Sequence, residues 1–161
     1  MADFPKLLEQ FAKAVQDNNG AGLANLFTED GIYDDGFFGE FKGHKAIAEM
    51  LAHFHEGGTH YRWDFFDPLS DGRIGYARYR FSYASKMPGS EGKPVVFEGT
   101  SFFTFAGDKI KRYTEVFDRG LALVQQDFAP ERLKKILAKA AAKQNAGAEA
   151  KEHLARLANG A

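Results

Sequence analysis

Cysteine is absent from this chain of 161 residues, which excludes disulfides and thiolate chemistry and is compatible with a reducing cytoplasm. An excess of either charge is also absent. The 21 lysines and arginines face 22 aspartates and glutamates, a net charge of −1, so nothing electrostatic points to nucleic acid as a partner. No apolar run approaches the length needed to span a membrane. The first residues, MADFPKLLEQ, show no basic segment ahead of an apolar core and no small-residue cleavage pattern, so the expectation is a cytoplasmic protein without a membrane partner. No internal repeat and no linker-like segment divides the chain. Aromatic volume, by contrast, is abundant: 16 Phe, 6 Tyr and 1 Trp exceed what a helical bundle of this length needs and favour a curved sheet around a packed or hollow interior. The length suits one domain that buries about two thirds of its unfolded surface.

Asp3 ahead of Phe4-Pro5 starts a helix in which Leu7, Leu8, Phe11, Ala12 and Val15 recur at helical spacing, ending near Asp17 to Gly20. Ala21 to Phe27 suits a short second helix, Thr28 to Gly31 reads as a breaker cluster, and Ile32-Tyr33 begins a short strand. Beyond the Asp34-Asp35-Gly36 turn and a Phe37-Phe38-Gly39 loop, Gly43 precedes a helix with Ile47, Met50, Leu51 and Phe54 on its inner face. The pattern then turns to alternation, with strands expected over Thr59 to Pro68, Arg73 to Lys86, Lys93 to Ala106 and Lys109 to Asp118. Short turn signals between them predict an antiparallel meander, and helices followed by a meander predict an α+β domain. Leu121 to Gln125 and Pro130 to Gln144 read as helices, and the Ala-rich remainder as helical or frayed.

This order resembles the NTF2-like superfamily and, within it, the SnoaL-like group. The most specific pieces are LFTEDGIYDD, the FKGHKAI helix start and FFTFAGDKIKRYTEVFD, over about Leu7 to Asp118. The resemblance implies a cone-shaped α+β barrel, with N-terminal helices against a curved antiparallel sheet and a C-terminal helical extension. It also implies a hydrophobic pocket in the cone and a homodimer. The domain is expected over residues 1–128, with 129–161 as an extension that belongs to it or to a dimer contact. The superfamily holds isomerases, cyclases, dehydratases, epoxide hydrolases and carriers, so the fold does not by itself assign a reaction.

Set beside ketosteroid isomerase, Asp35 takes the position of the general base, while Phe11 and Ser101 stand where that enzyme's oxyanion donors would be. A carboxylate shielded by aromatic walls suits proton transfer. Asp34-Asp35-Gly36 also reads as a plain turn. Set beside limonene epoxide hydrolase, Arg78 keeps a catalytic arginine, Glu115 stands in for one acid, and Arg80 replaces the other. The two-residue period puts Arg78 and Arg80 on one sheet face with Tyr76 and Ser82, and Ala77, Tyr79, Phe81 and Tyr83 on the other. Two arginines cannot lie unpaired in a dry core, so they face solvent or meet Glu115, Asp35 or Glu98, either as structural salt bridges or as an anion clamp.

His44, His53, His55, His60 and His153 form no metal set at usable spacing, and no metal or other cofactor is expected. Of the aromatics Phe37, Phe38, Trp63, Phe65, Tyr76, Phe97, Phe103 and Tyr113, some line a cavity and the rest pack, while Phe102 belongs to the opposite face and a dimer contact. The resulting expectation is an acid/base enzyme acting on a small apolar or weakly acidic molecule. Asp35, Arg78 and Glu115 would do the chemistry. Phe11, Tyr33, Trp63, Tyr76, Arg80, Ser101, Phe103 and Tyr113 would contact the ligand. The alternatives are a binding module without chemistry and a cone that is merely packed.

Overall fold

The structure, a computed structural model, describes residues 3–158. Two compact units follow one another, Met1–Gln126 and Asp127–Ala161. In the first, α1 (Phe4–Gln16) begins where the Asp3 side chain accepts the Lys6 N–H, with Pro5 in the first turn where a missing N–H costs nothing. Its apolar stripe is buried to the last residue, and Phe11 is wholly enclosed. Next come α2 (Gly20–Ala24), β1 (Phe27–Asp35), β2 (Gly39–Lys42) and α3 (Gly43–Gly57). Four long strands complete the sheet: β3 (Gly58–Ser70), β4 (Ile74–Ser85), β5 (Pro94–Ala106) and β6 (Lys109–Phe117), followed by α4 (Arg119–Val124), which Asp118 caps through the Leu121 N–H.

The six strands run in the order β2-β1-β6-β5-β4-β3, antiparallel throughout except for the parallel pair β1 and β6. The α+β fold expected from the sequence, with helices against a curved sheet, is the fold observed. Edge strand β3 bends where its register slips, between Thr59 and Arg62 and between Phe66 and Leu69, with His60 and Asp67 in left-handed backbone at the bends. Helix α1 lies against this strand, and the rings of Phe11, Phe27, Tyr33, Trp63, Phe103 and Tyr113 fill the concave interior.

Three details correct the sequence reading. Thr28 to Gly31 is no breaker: it lies inside β1, where an irregularity in the pairing with β6 absorbs the extra residues. Gly31 allows that bend, since a Cβ there would stand 2.9 Å from both Phe27 Cβ and Thr28 O. The second helix stops at Ala24, so Phe27 is the first residue of a strand. The stretch read as the end of a loop contains β2, whose four residues are too few to show alternation.

The second unit holds α5 (Pro130–Ala146) and α6 (Ala148–Ala158). No residue of α5 is buried, and Arg132 stacks over the Phe128 ring at 4.1 Å. Leu154 and Leu157 on α6 are exposed.

Candidate functional site

Strand β6 carries Tyr113 and Glu115 two residues apart, hence on one face, and that face is the concave one. On β5, Ser101 lies opposite Glu115, and on β4 Tyr79 lies opposite Gly99. Three neutral donors converge on the Glu115 carboxyl. The Tyr79 hydroxyl donates to Oε2 at 2.9 Å, the Tyr113 hydroxyl to the same oxygen at 3.0 Å, and the Gly36 N–H to Oε1 at 3.1 Å. The Tyr113 hydroxyl also lies 3.1 Å from Ser101 Oγ, which extends the chain of hydroxyls one step deeper. Gly99 gives Tyr79 its place: a Cβ there would stand 2.5 Å from the Val116 carbonyl oxygen and 2.7 Å from the Tyr79 hydroxyl.

Burial pushes the Glu115 carboxyl up to about 8, the nearby Asp35 charge adds to the rise, and the three donors oppose it. The carboxyl tip is enclosed, while part of the residue's surface remains accessible. Asp35 closes the turn after β1, its Oδ1 accepting the Phe37 and Phe38 N–H groups, each at 2.8 Å. Burial raises its carboxyl too, against those two amides and the charge of Arg119, whose Nε donates to the Gly36 carbonyl. Asp34 turns the other way and joins Arg112 at 2.8 Å. The phenols of Tyr33, Tyr79 and Tyr113 are driven upward by burial first and then by the Glu115 charge, so they stay protonated.

Above this cluster the aromatic packing loosens. Phe37, Phe54, Tyr61, Tyr83 and Phe117 are only partly buried, and Phe38 is 60% exposed. Phe97 links this rim to the interior, stacked on Phe117 at 4.5 Å and 6.4 Å from Tyr79. Below, Phe11 touches Tyr33, Trp63, Phe103 and Tyr113, so the deep interior is filled by rings. A groove of about 470 Å³ runs between α1 and β3, lined by Leu8, Ala12, Trp63 and Phe65 among others.

Of the residues singled out in the sequence, Asp35, Glu115, Phe11, Tyr33, Trp63, Ser101, Phe103 and Tyr113 come together on the concave side. Arg78, Arg80 and Tyr76 do not, which corrects the expected grouping of Arg78 with Glu115. Alternation along β4 buries Ala77, Tyr79 and Phe81, so the arginines stand outside. Arg78 Nε pairs with Asp67 at 2.7 Å and Arg80 Nε with Glu98 at 2.9 Å, all four side chains more than half exposed. Tyr76, 45% exposed, stacks on Phe102 at 4.8 Å.

Sequence reasoning left Tyr79, Gly36, Gly99 and Arg119 out of the site. Tyr79 was readable as lying on the face opposite Arg78. The close approach at Gly99 and the reach of Arg119 depend on packing that has no local signature. His44 and His55 bond the carbonyls of Phe27 and Val15, and among the described residues no group of three or more His, Asp or Glu is placed to hold a metal ion.

Helices packed on a curved six-stranded sheet define a class of small α+β domains. Residues 8–113 match the SnoaL-like domain, and the chain belongs to that family. Solved structures agree on the fold. A ketosteroid isomerase-like protein from Catenulispora acidiphila, solved with trimethylamine, superposes with TM-score 0.69 at 18% identity, over 78% of this chain and 98% of that one. A polyketide cyclase candidate from Xanthomonas campestris gives 0.64 at 20% identity over 76% and 95%, and an LEH-like epoxide hydrolase from M. tuberculosis 0.62 at 14% over 83% and 94%. Among curated protein sequences no significant match is found.

Proposed function

We propose that the protein is a small-molecule enzyme of the SnoaL-like type, doing cofactor-free acid/base chemistry with Glu115 as the proton-transfer group. The observation that carries this reading is a carboxyl enclosed among hydroxyl and amide donors, with a second buried carboxyl nearby. Packing alone does not call for it, because an apolar side chain of similar volume would avoid the cost of desolvating an acid. A proton held with a pKa of about 8 is well matched to transfer near neutral pH. Glu115 would deliver it to a substrate atom at the rim, and Tyr79 and Tyr113 would stabilise the carboxylate left behind. Asp35 would act through its charge, keeping the proton on Glu115 until substrate arrives. Arg78, outside the cone, takes no part in this scheme.

The structural neighbours include a polyketide cyclase candidate and an epoxide hydrolase, which supports the class of chemistry without naming the substrate. Turnover of a panel of small ketones and epoxides, followed by chromatography for wild type and Glu115→Gln, tests the reading. The variant should fold and lose at least about a hundredfold in rate. Undiminished turnover in a folded Glu115→Gln protein would overturn it.

The outer sheet face supports a homodimer. Val116 and Leu69 are 78% and 73% exposed there, beside the stacked Tyr76 and Phe102. Light scattering should give twice the chain mass for wild type and a monomer for Val116→Glu. A monomeric wild type at micromolar concentration removes this part of the proposal.

A further inference from the structure

We propose that Arg119 is a positioning residue for the acid: by holding the Gly36 carbonyl it fixes the turn after β1 so that negative charge settles on Asp35 and the proton stays on Glu115. The inference rests on the Glu115 reading and identifies what sets the order of the two carboxyls.

The turn is held at every polar group it presents to the cluster. Asp35 Oδ1 accepts the Phe37 and Phe38 N–H groups, each at 2.8 Å. The Gly36 N–H donates to Glu115 Oε1 at 3.1 Å, and the Gly36 carbonyl accepts from Arg119 Nε. The two peptide groups that meet at Gly36 are thus both oriented. One directs its N–H to Glu115, and the other has a guanidinium at its oxygen and the Asp35 carboxyl at its nitrogen, the Phe37 N–H. These last two bonds reinforce one another, because a carbonyl polarised by a cation makes the N–H of the same peptide a better donor to an anion. Contact with β6 keeps the turn close: a Cβ on Gly36 would stand 2.2 Å from the Phe117 ring. Arg119 opens α4 two residues beyond Phe117, and Asp118 between them caps that helix through the Leu121 N–H. The same short piece of chain therefore carries both the acid and the cation.

The charges around Asp35 differ in sign and in reach. Asp34 on β1 and Glu115 on β6 oppose a charge there, and the phenols of Tyr33 and Tyr79 are neutral. Asp34 has its own cation in Arg112, 2.8 Å away. Arg119 favours the Asp35 charge, whereas Glu115 is met by the neutral donors Tyr79, Tyr113 and Gly36. A cation beside one carboxyl and neutral donors around the other separate two acids that share an enclosed site, so that one ionises and the other keeps its proton.

Main-chain amides report on each acid separately. The Phe37 and Phe38 N–H signals follow the ionisation of Asp35, and the Gly36 N–H signal follows that of Glu115. The ¹⁵N-labelled full chain is titrated from about pH 4 to about pH 10, and in wild type Phe37 and Phe38 should change at lower pH than Gly36. In Arg119→Gln, which keeps an N–H donor and removes the charge, the Phe37 and Phe38 transition should move up toward that of Gly36. Arg119→Lys, which restores a cation, should bring it back toward wild type. A Phe37 and Phe38 transition that stays in place in folded Arg119→Gln, or that rises equally in both variants, overturns the proposal. Should Arg119→Gln not fold, the wild-type Arg119 Nε–H signal decides: it should change together with Phe37, and a flat signal there overturns the proposal. The titration needs no substrate, so this failure is separate from a Glu115→Gln protein that keeps its turnover.

Discussion

The two faces of the central strands handle charge in opposite ways. Outside, Arg78 and Arg80 meet Asp67 and Glu98 as more than half-exposed pairs, each with a full opposite charge as its partner. Inside, Glu115 meets hydroxyls and an amide, and it responds to enclosure by holding its proton. Water makes the difference. In a screened setting, opposite charges can be placed side by side for little gain or loss, whereas in an enclosed one the carboxyl changes its protonation state. An exposed ladder of ion pairs is therefore a feature of surface design, and the enclosed acid is a feature that needs a reason. The following experiments act on that contrast.

The largest effect is expected at Gly99→Ala. The added Cβ meets main-chain oxygen of Val116 and the hydroxyl that Tyr79 extends to Glu115, neither of which can withdraw freely. A loss of about 3 kcal/mol in urea unfolding is expected, as for other overpacked sites. Thr100→Ala, one residue along on the exposed face, should stay within about 0.5 kcal/mol. Equal behaviour of the two variants would mean that the inner face is as forgiving as the outer one.

The second effect is a pH dependence. Glu115 binds its proton more tightly folded, at about 8, than unfolded, at 4.5. Below 4.5 both states are protonated and the contribution to stability is complete; as pH rises toward 8 the unfolded chain sheds the proton first, and stability falls. Glu115→Gln should therefore flatten the decline and melt higher than wild type at pH 8. A weaker slope of the same sign should persist from Asp35, also raised by burial. Parallel stability curves for wild type and Glu115→Gln between about pH 5 and pH 8 would refute the account.

Tyr79→Phe comes next. It removes one of the hydrogen bonds that lower the Glu115 carboxyl, so the carboxyl should titrate still higher, at a cost of about 1 kcal/mol in stability. A ¹³C titration of the glutamate carboxyls checks this, and an unmoved or lowered Glu115 midpoint counts against it.

How much of this was legible in the sequence follows from what each pattern encodes. Long strands β3 to β6 announce themselves by alternation and by the turn residues between them, so the meander was readable. Strand β2 was not, because four residues cannot establish a period. Within the site, Asp35 and Glu115 were found through the resemblance of their segments to known enzymes. Arg78 was grouped wrongly for a specific reason. A period of two says which side chains share a face but not which face is concave, and that choice is made by what α1 packs against. The same period placed Tyr79 opposite Arg78, so choosing the face correctly would have exchanged one for the other. Trp63 was named as a ligand contact as one of a set of aromatics, some of them expected to line a cavity. That its indole N–H has no partner among the described residues is visible only once the neighbouring rings are in place.

The smallest effects belong to the outer ladder, and they are the sharpest control on the contrast. Arg80 is bound to Glu98 through two guanidinium nitrogens, a geometry that in an enclosed site would make the arginine costly to remove. With both side chains more than half exposed, water and salt screen the attraction and each end is solvated when the other is deleted. A double-mutant cycle of Arg80→Ala and Glu98→Ala should therefore give a coupling under about 1 kcal/mol, smaller again at high salt. Turnover in Arg80→Ala and Arg78→Ala should match wild type, because neither guanidinium reaches the concave face. If Arg78→Ala instead lowered turnover with stability unchanged, the outer face would be part of the working site, and the division between a surface ladder and an enclosed acid would have to be redrawn.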